Sequence, residues 1–246
     1  EAPASLSATL DQMDDLADGT DHFEFYWFPH TDRVLSKRNT RLPNDVAPQP
    51  LPAWRAWLDD DLLANRVFDR VCRVASSRPA WVPRINAISS RGLSSREFTA
   101  PSYEVFASIR DVRFREMEYA VPRAEVRGLI ERLRATIDSR GFRLPFPVEV
   151  RFAAEDSMWL STASGRDSAY VAVHQYARMD HRAYFDAFES LALEVGGRPH
   201  WGKMHSLGHD ELRQRYPRFD DFIAVRNQVD PDRVFGNDHL TRLLGE

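Results

Sequence analysis

The chain has 246 residues, 43% hydrophobic and 28% charged, an ordinary globular balance that excludes disorder for the bulk of it. A net charge of −4 provides no general attraction for nucleic acid or anionic membrane, and no run approaches the roughly 18 apolar residues of a membrane span. Glycine is scarce, at 11 residues with no G-x-G anywhere, so neither a dinucleotide fingerprint nor a Walker-type phosphate loop is present.

The start, EAPASLSATL, has no basic, apolar leader pattern, so the expectation is a soluble cytoplasmic chain, with membrane association left open. Leu6, Leu10, Met13, Leu16 and Ala17 recur at helical spacing, with Asp11, Asp14, Asp15 and Asp18 on the other side. The run His22 to Phe28 is aromatic, partly alternating and closed by Pro29, a strand. Ser36 to Leu42 alternates polar and basic residues as a second strand, and the prolines at 43, 48, 50 and 52 mark a loop. From Trp54 a helix of about 20 residues is predicted, its inward stripe formed by Trp54, Leu58, Leu63, Val67, Val71 and Val74. Cys72 lies beside that stripe and reads as a small buried hydrophobe.

Residues 78–111 are rich in Ser, Arg and Pro and show no periodic element; a loop that long usually packs over a site or an interface. Arg113 to Ala120 alternates as a strand, and a helix runs from Pro122 to a stop at Gly141. Val148 to Phe152 and Tyr170 to Tyr176 are short strands. A helix from Arg182 to Val195 ends at Gly196-Gly197, and two short helices follow, near 211–216 and 220–229. The order of elements predicts an α+β fold, a mainly antiparallel sheet flanked by helices, filling residues 1–246 as one domain.

The strongest local signal is Glu149-x-Arg151. Two residues apart on a strand, both side chains share one face while Val148, Val150 and Phe152 take the other. A carboxylate beside a guanidinium suits a polyhydroxylated ligand, and Arg stabilises developing oxyanions; an ordinary surface ion pair has the same spacing. His174, on the other strand, can share that face or be a satisfied core histidine. His200, His205, His209 and Asp210 invite a metal reading, but Gly202 and Gly208 interrupt the segment and no H-E-x-x-H occurs, so no metal is expected. Lys203 follows a Trp-Gly pair that can turn the chain and present a fixed cation. There is no G-x-S-x-G nucleophile elbow.

Taken in order, His22 to Asp32, Pro147 to Phe152, Val173 to Tyr176, Arg198-Pro-His-Trp-Gly-Lys203 and Asp230 to Asn237 resemble the C-terminal half of sugar-1,4-lactone oxidases. These are the L-gulono- and D-arabinono-lactone oxidases and dehydrogenases, flavoproteins of the vanillyl-alcohol-oxidase type. The resemblance implies a cap domain that covers an FAD held mainly by an N-terminal domain outside these residues, and a small sugar lactone or polyol as substrate. It further implies that Glu149, Arg151 and Lys203 are catalytic and that His174 and Tyr176 join Glu149 and Arg151 around the substrate. His200, Trp201, Lys203 and Asn237 would lie near the flavin. His239 stands where the family often has Tyr. The alternative is a flavin-free carbohydrate-binding or interaction module that keeps the cap architecture.

Overall fold

A computed structural model describes residues 1–107 and 110–246. Alternation builds its sheet. In β2 (His22–Phe28) Phe23, Phe25 and Trp27 are buried on one face, and in β5 (Val148–Ala153) Val148 and Val150 are buried on the same side. With β1 (Ala2–Ser5), β3 (Arg33–Asn39), β4 (Phe114–Pro122), β6 (Ser168–Tyr176) and β7 (Arg198–Pro199) they form a seven-stranded sheet in the order β1-β3-β2-β5-β6-β4-β7, with every pairing antiparallel. The fold is α+β, as the element order predicts.

Helix α1 (Leu6–Asp18) starts where Ser5 Oγ accepts from Ala8 N at 3.2 Å. The chain then leaves β3 as an arm containing α2 (Ala53–Ala56), a π-helical stretch (Trp57–Val67), α3 (Phe68–Ser77), α4 (Val82–Arg91) and α5 (Ser102–Phe106). After β4 come α6 (Val126–Arg140) and α7 (Arg182–Glu194), and at the end α8 (His209–Arg215), α9 (Phe219–Val229) and α10 (Asp238–Leu244). Helix α6 ends at Gly141, whose φ of 67° is the left-handed conformation a helix stop commonly uses.

Leu10 and Met13 of α1, Leu129, Ile130 and Leu133 of α6, and Phe185 and Phe188 of α7 pack on the apolar sheet face in one core. Each such buried side chain contributes about 1.5–3 kcal/mol. The opposite face is polar. The arm covers one end of it, where Cys72, Val112, Phe146 and Tyr176 form a second small core.

Several expectations are corrected. The second strand runs Arg33–Asn39, upstream of 36–42, because it pairs with β2 from Phe28↔Arg33 outward. In the stripe expected to face inward, Trp54, Leu63, Val67 and Val74 are exposed, as is neighbouring Trp57: eleven residues wind as a π-helix, whose wider turn shifts the face a 3.6-residue period predicts. Residues 78–111 contain α4 and α5, with Ser108 and Ile109 outside the described residues. Helix α4 buries Val82, Asn86 and Ser90, a helical spacing hidden because two of the three are polar. Asn86 Nδ2 donates to the carbonyls of Pro29 and Leu144, at 2.9 and 2.8 Å, which satisfies its burial. Strands β1 and β7 and helix α10 had no separate sequence signal. Cys72 is fully buried; burial, with Asp69 nearby, pushes its thiol up to about 12.

Candidate active site

Register sets the polar face. Glu24 pairs with Arg151, Tyr26 with Glu149, Glu149 with Ala172, Glu118 with Ala172 and Glu116 with His174. These residues therefore lie in rows that cross β2, β5, β6 and β4. Glu149 and Arg151 share the face, 3.3 Å apart between Oε1 and Nε, and His174 lies on it too. Arg151, opposite Tyr170 on β6, reaches diagonally across that strand to Glu118 on β4, which stands opposite the small Ala172, with Nη2 donating to Oε2 at 2.6 Å.

Lys203 enters from a strap beyond β4. Residues 200–203 make a turn, Lys203 N donating to His200 O at 3.1 Å, and the strap is held along β4 by His200 N to Glu118 O at 2.9 Å and Met204 N to Glu116 O at 3.1 Å. The Lys203 ammonium donates at 2.6 Å to carboxylate oxygens of both Glu116 and Glu118. His174 has Nδ1 at 3.1 Å from Pro147 O and Nε2 at 3.1 Å from Glu116. Both ring nitrogens thus face acceptor oxygens, one on the backbone and one on a carboxylate.

The electrostatics follow from these contacts. Burial alone would raise Glu116, but hydrogen bonds from His174 and Lys203 outweigh it and hold the carboxyl at about 2. Burial raises Glu149 against the pull of Arg151. Burial would lower Arg151, but the neighbouring Glu118 and Glu149 carboxylates together outweigh it and raise the guanidinium. Tyr26 donates to Glu24 at 3.2 Å; burial, then the charges of Glu149 and Glu24, push its hydroxyl above its ordinary range. Lys37 closes the row, 2.9 Å from Glu24.

Four of the residues singled out from sequence thus converge: Glu149, Arg151, His174 and Lys203. The others lie elsewhere. Tyr176 is buried in the second core, its hydroxyl donating to Asp69 at 3.1 Å. His200 accepts from Gly202 N at 3.1 Å, and Trp201 donates to Leu160 O at 2.8 Å; both line a cavity of about 700 Å³ with Trp159 and Phe222. The Asn237 side chain caps α10, accepting from Leu240 N at 3.0 Å. His205 precedes α8 and His209 begins it, so the two do not share a helix face, and no cluster of metal-ligating residues occurs among the described residues. A cleft of about 800 Å³ opens beside Glu116, Lys203 and His205.

Sequence reasoning passed over Glu116, Glu118, Glu24, Tyr26 and Ala172. The alternation Glu116-x-Glu118 opposite buried Met117 and Tyr119 is the same signal that marked Glu149-x-Arg151. What had no signal was the strap's register, which joins Lys203 to those carboxylates.

Comparison with known proteins shows the family of the chain. The family model described as D-arabinono-1,4-lactone oxidase matches residues 1–243. An L-gulono-1,4-lactone dehydrogenase of Mycobacterium tuberculosis is 43% identical over 98% of this chain and 56% of its own length. An L-gulonolactone oxidase of Scyliorhinus torazame is 28% identical over 98% of the chain and 55% of its own length. The chain therefore spans a little over half the length of these curated relatives. In fold it is similar to a cholesterol oxidase from Brevibacterium sterolicum, with a TM-score of 0.68 at 18% identity, over 94% of this chain and 55% of that one. By the match over almost its whole length, the chain belongs to the D-arabinono-1,4-lactone oxidase family.

Proposed function

We propose that this chain is the substrate-binding cap half of an FAD-dependent oxidoreductase that oxidises an aldono-1,4-lactone of L-gulono, L-galactono or D-arabinono type. The observation that carries the reading is the convergence of Arg151 and Lys203, on separate elements, at one carboxylate on the polar face of the sheet. A secondary alcohol losing a proton and a hydride develops negative charge on oxygen, and fixed cations stabilise that charge without reorganising.

The residues suit the ring end of a flavin and not its phosphate end. Arg151 and Lys203 offer positive charge, with His200 and Trp201 on the same strap, whereas no glycine loop is present to cradle phosphates. The dinucleotide is assigned to a domain outside this chain. When bound, the flavin supplies the acceptor for the hydride. Within this chain, Arg151 and Lys203 hold the ionising hydroxyl, Glu149 binds a neighbouring sugar hydroxyl and keeps Arg151 oriented, and His174 secures Glu116 behind Lys203. Asn237, whose side chain is engaged in capping α10, keeps the tail in place beside the strap region.

The test uses the full-length protein with its flavin. Visible flavin absorbance and lactone oxidation are expected, and Arg151→Ala should lower kcat/KM by about 10²–10³-fold, the usual cost of removing a donor to developing oxyanion charge. A variant within twofold of wild type refutes the assignment. The 246-residue chain alone is expected to be colourless and inactive.

A further inference from the structure

Glu118 is 1% exposed, yet neither of its cationic partners is buried to that degree: the Arg151 side chain is 41% exposed and that of Lys203 18%. Both cations donate to the same oxygen, Oε2, each at 2.6 Å. They are therefore no more than about 5 Å apart, where like charges repel strongly unless a counter-charge lies between them. Glu118 also holds the strap through its main chain, its carbonyl accepting from His200 N at 2.9 Å. The same residue thus positions Lys203 by backbone and by side chain.

We propose that Glu118 is a positioning residue that spaces Arg151 and Lys203 as a pair and sets the charge of the site. This rests on the reading that Arg151 and Lys203 meet the ionising hydroxyl. The carboxylate holds the guanidinium and the ammonium at one spacing before substrate arrives, so little ordering remains for the substrate to impose. Its negative charge also offsets part of the positive charge of the pair. The pair is thereby kept from retaining tightly any small anion, including the aldonate formed when a lactone ring opens in water.

Glu118→Gln removes the charge but leaves the carbonyl bond to His200 N, so the strap stays docked. In the full-length flavin-loaded protein the expected result is a fall in kcat of about 30-fold or more, as for a misplaced catalytic pair. The melting temperature should stay within a few degrees. The distinguishing readout is competitive inhibition by the aldonate of the same lactone: its Ki should fall about tenfold, since the site gains a positive charge. Glu118→Asp should restore the wild-type Ki while recovering only part of kcat. Unchanged kcat and Ki in Glu118→Gln overturn the proposal, and so does a lower kcat with unchanged or weaker aldonate binding, which marks a purely structural role. Arg151→Ala in parallel separates the two readings. If it is inactive while Glu118→Gln is normal, only the role of Glu118 falls; if it is fully active, the site assignment falls as well.

Discussion

Arg151 and Glu118 are joined diagonally across an intervening strand: the guanidinium on β5, opposite Tyr170 of β6, reaches a carboxylate on β4 that stands opposite the small Ala172, at 2.6 Å. A larger side chain at 172 would stand between them. Ala172→Leu is therefore expected to separate the pair and lower kcat/KM of the full-length enzyme by about 10-fold or more, since misplacement by about 1 Å costs up to 10²-fold. Lactone kinetics check this, and wild-type kinetics in the variant would show that the contact across β6 has no part in turnover.

His205 is held among Arg242, His239 and Glu189 with the Leu207 backbone beside it, and among the described residues neither ring nitrogen meets a partner in good hydrogen-bonding geometry. Burial, then the charges of Arg242 and His239, depress it from about 6.5 to about 4, with Glu189 opposing. The sign is settled by comparing the two states. As pH falls below 6.5 the unfolded chain takes up this proton first, so stability is lost from about 6.5 downward and the loss levels off near 4. His205→Phe should flatten that part of the stability–pH curve, measured as urea midpoints between pH 7 and pH 4 (about half-unit steps suffice). An identical slope in wild type and variant would rule out His205 as the source.

Tyr176 separates a packing role from a substrate role. Its ring lies with Cys72, Val112 and Phe146, and its hydroxyl is engaged by Asp69. Tyr176→Phe should cost about 1 kcal/mol of stability, one net hydrogen bond, with KM for the lactone unchanged. A raised KM without loss of stability would instead place the hydroxyl at the substrate.

Two glycines test backbone packing with opposite signs. A Cβ on Gly197 would lie 2.6 Å from the Ala192 carbonyl oxygen and 3.1 Å from the Tyr119 ring, so Gly197→Ala should destabilise by about 1–3 kcal/mol. On Gly128, within α6, a Cβ meets nothing within 4 Å, and Gly128→Ala should stabilise by roughly 0.5–1 kcal/mol. Chemical denaturation of both variants decides the pair.

How much of this was legible beforehand depends on distance along the chain. The shared face of Glu149 and Arg151 follows from the two-residue period of a strand, and the helices at α1, α6 and α7 from their apolar spacing. Three features escaped for physical reasons. The arm winds partly as a π-helix, so a 3.6-residue template assigns Trp54 and Val74 to the wrong side. Helix α4 buries Asn86 and Ser90 by satisfying polar groups, which periodicity of apolar residues cannot register. The Lys203 contacts join residues more than eighty positions apart, 203 to 116 and 118, through a strap whose register no local pattern encodes.

The sheet begins with a strand of four residues, β1, and ends with one of two, β7, and the strap beyond β7 already donates its amides to β4 carbonyls. Among the described residues neither margin offers a long row of free backbone donors and acceptors, the template on which strands of other molecules add. At the β7 margin, cover against edge-to-edge pairing is thus supplied by the same residues that deliver Lys203, and loosening the strap would expose that margin as it dismantled the site.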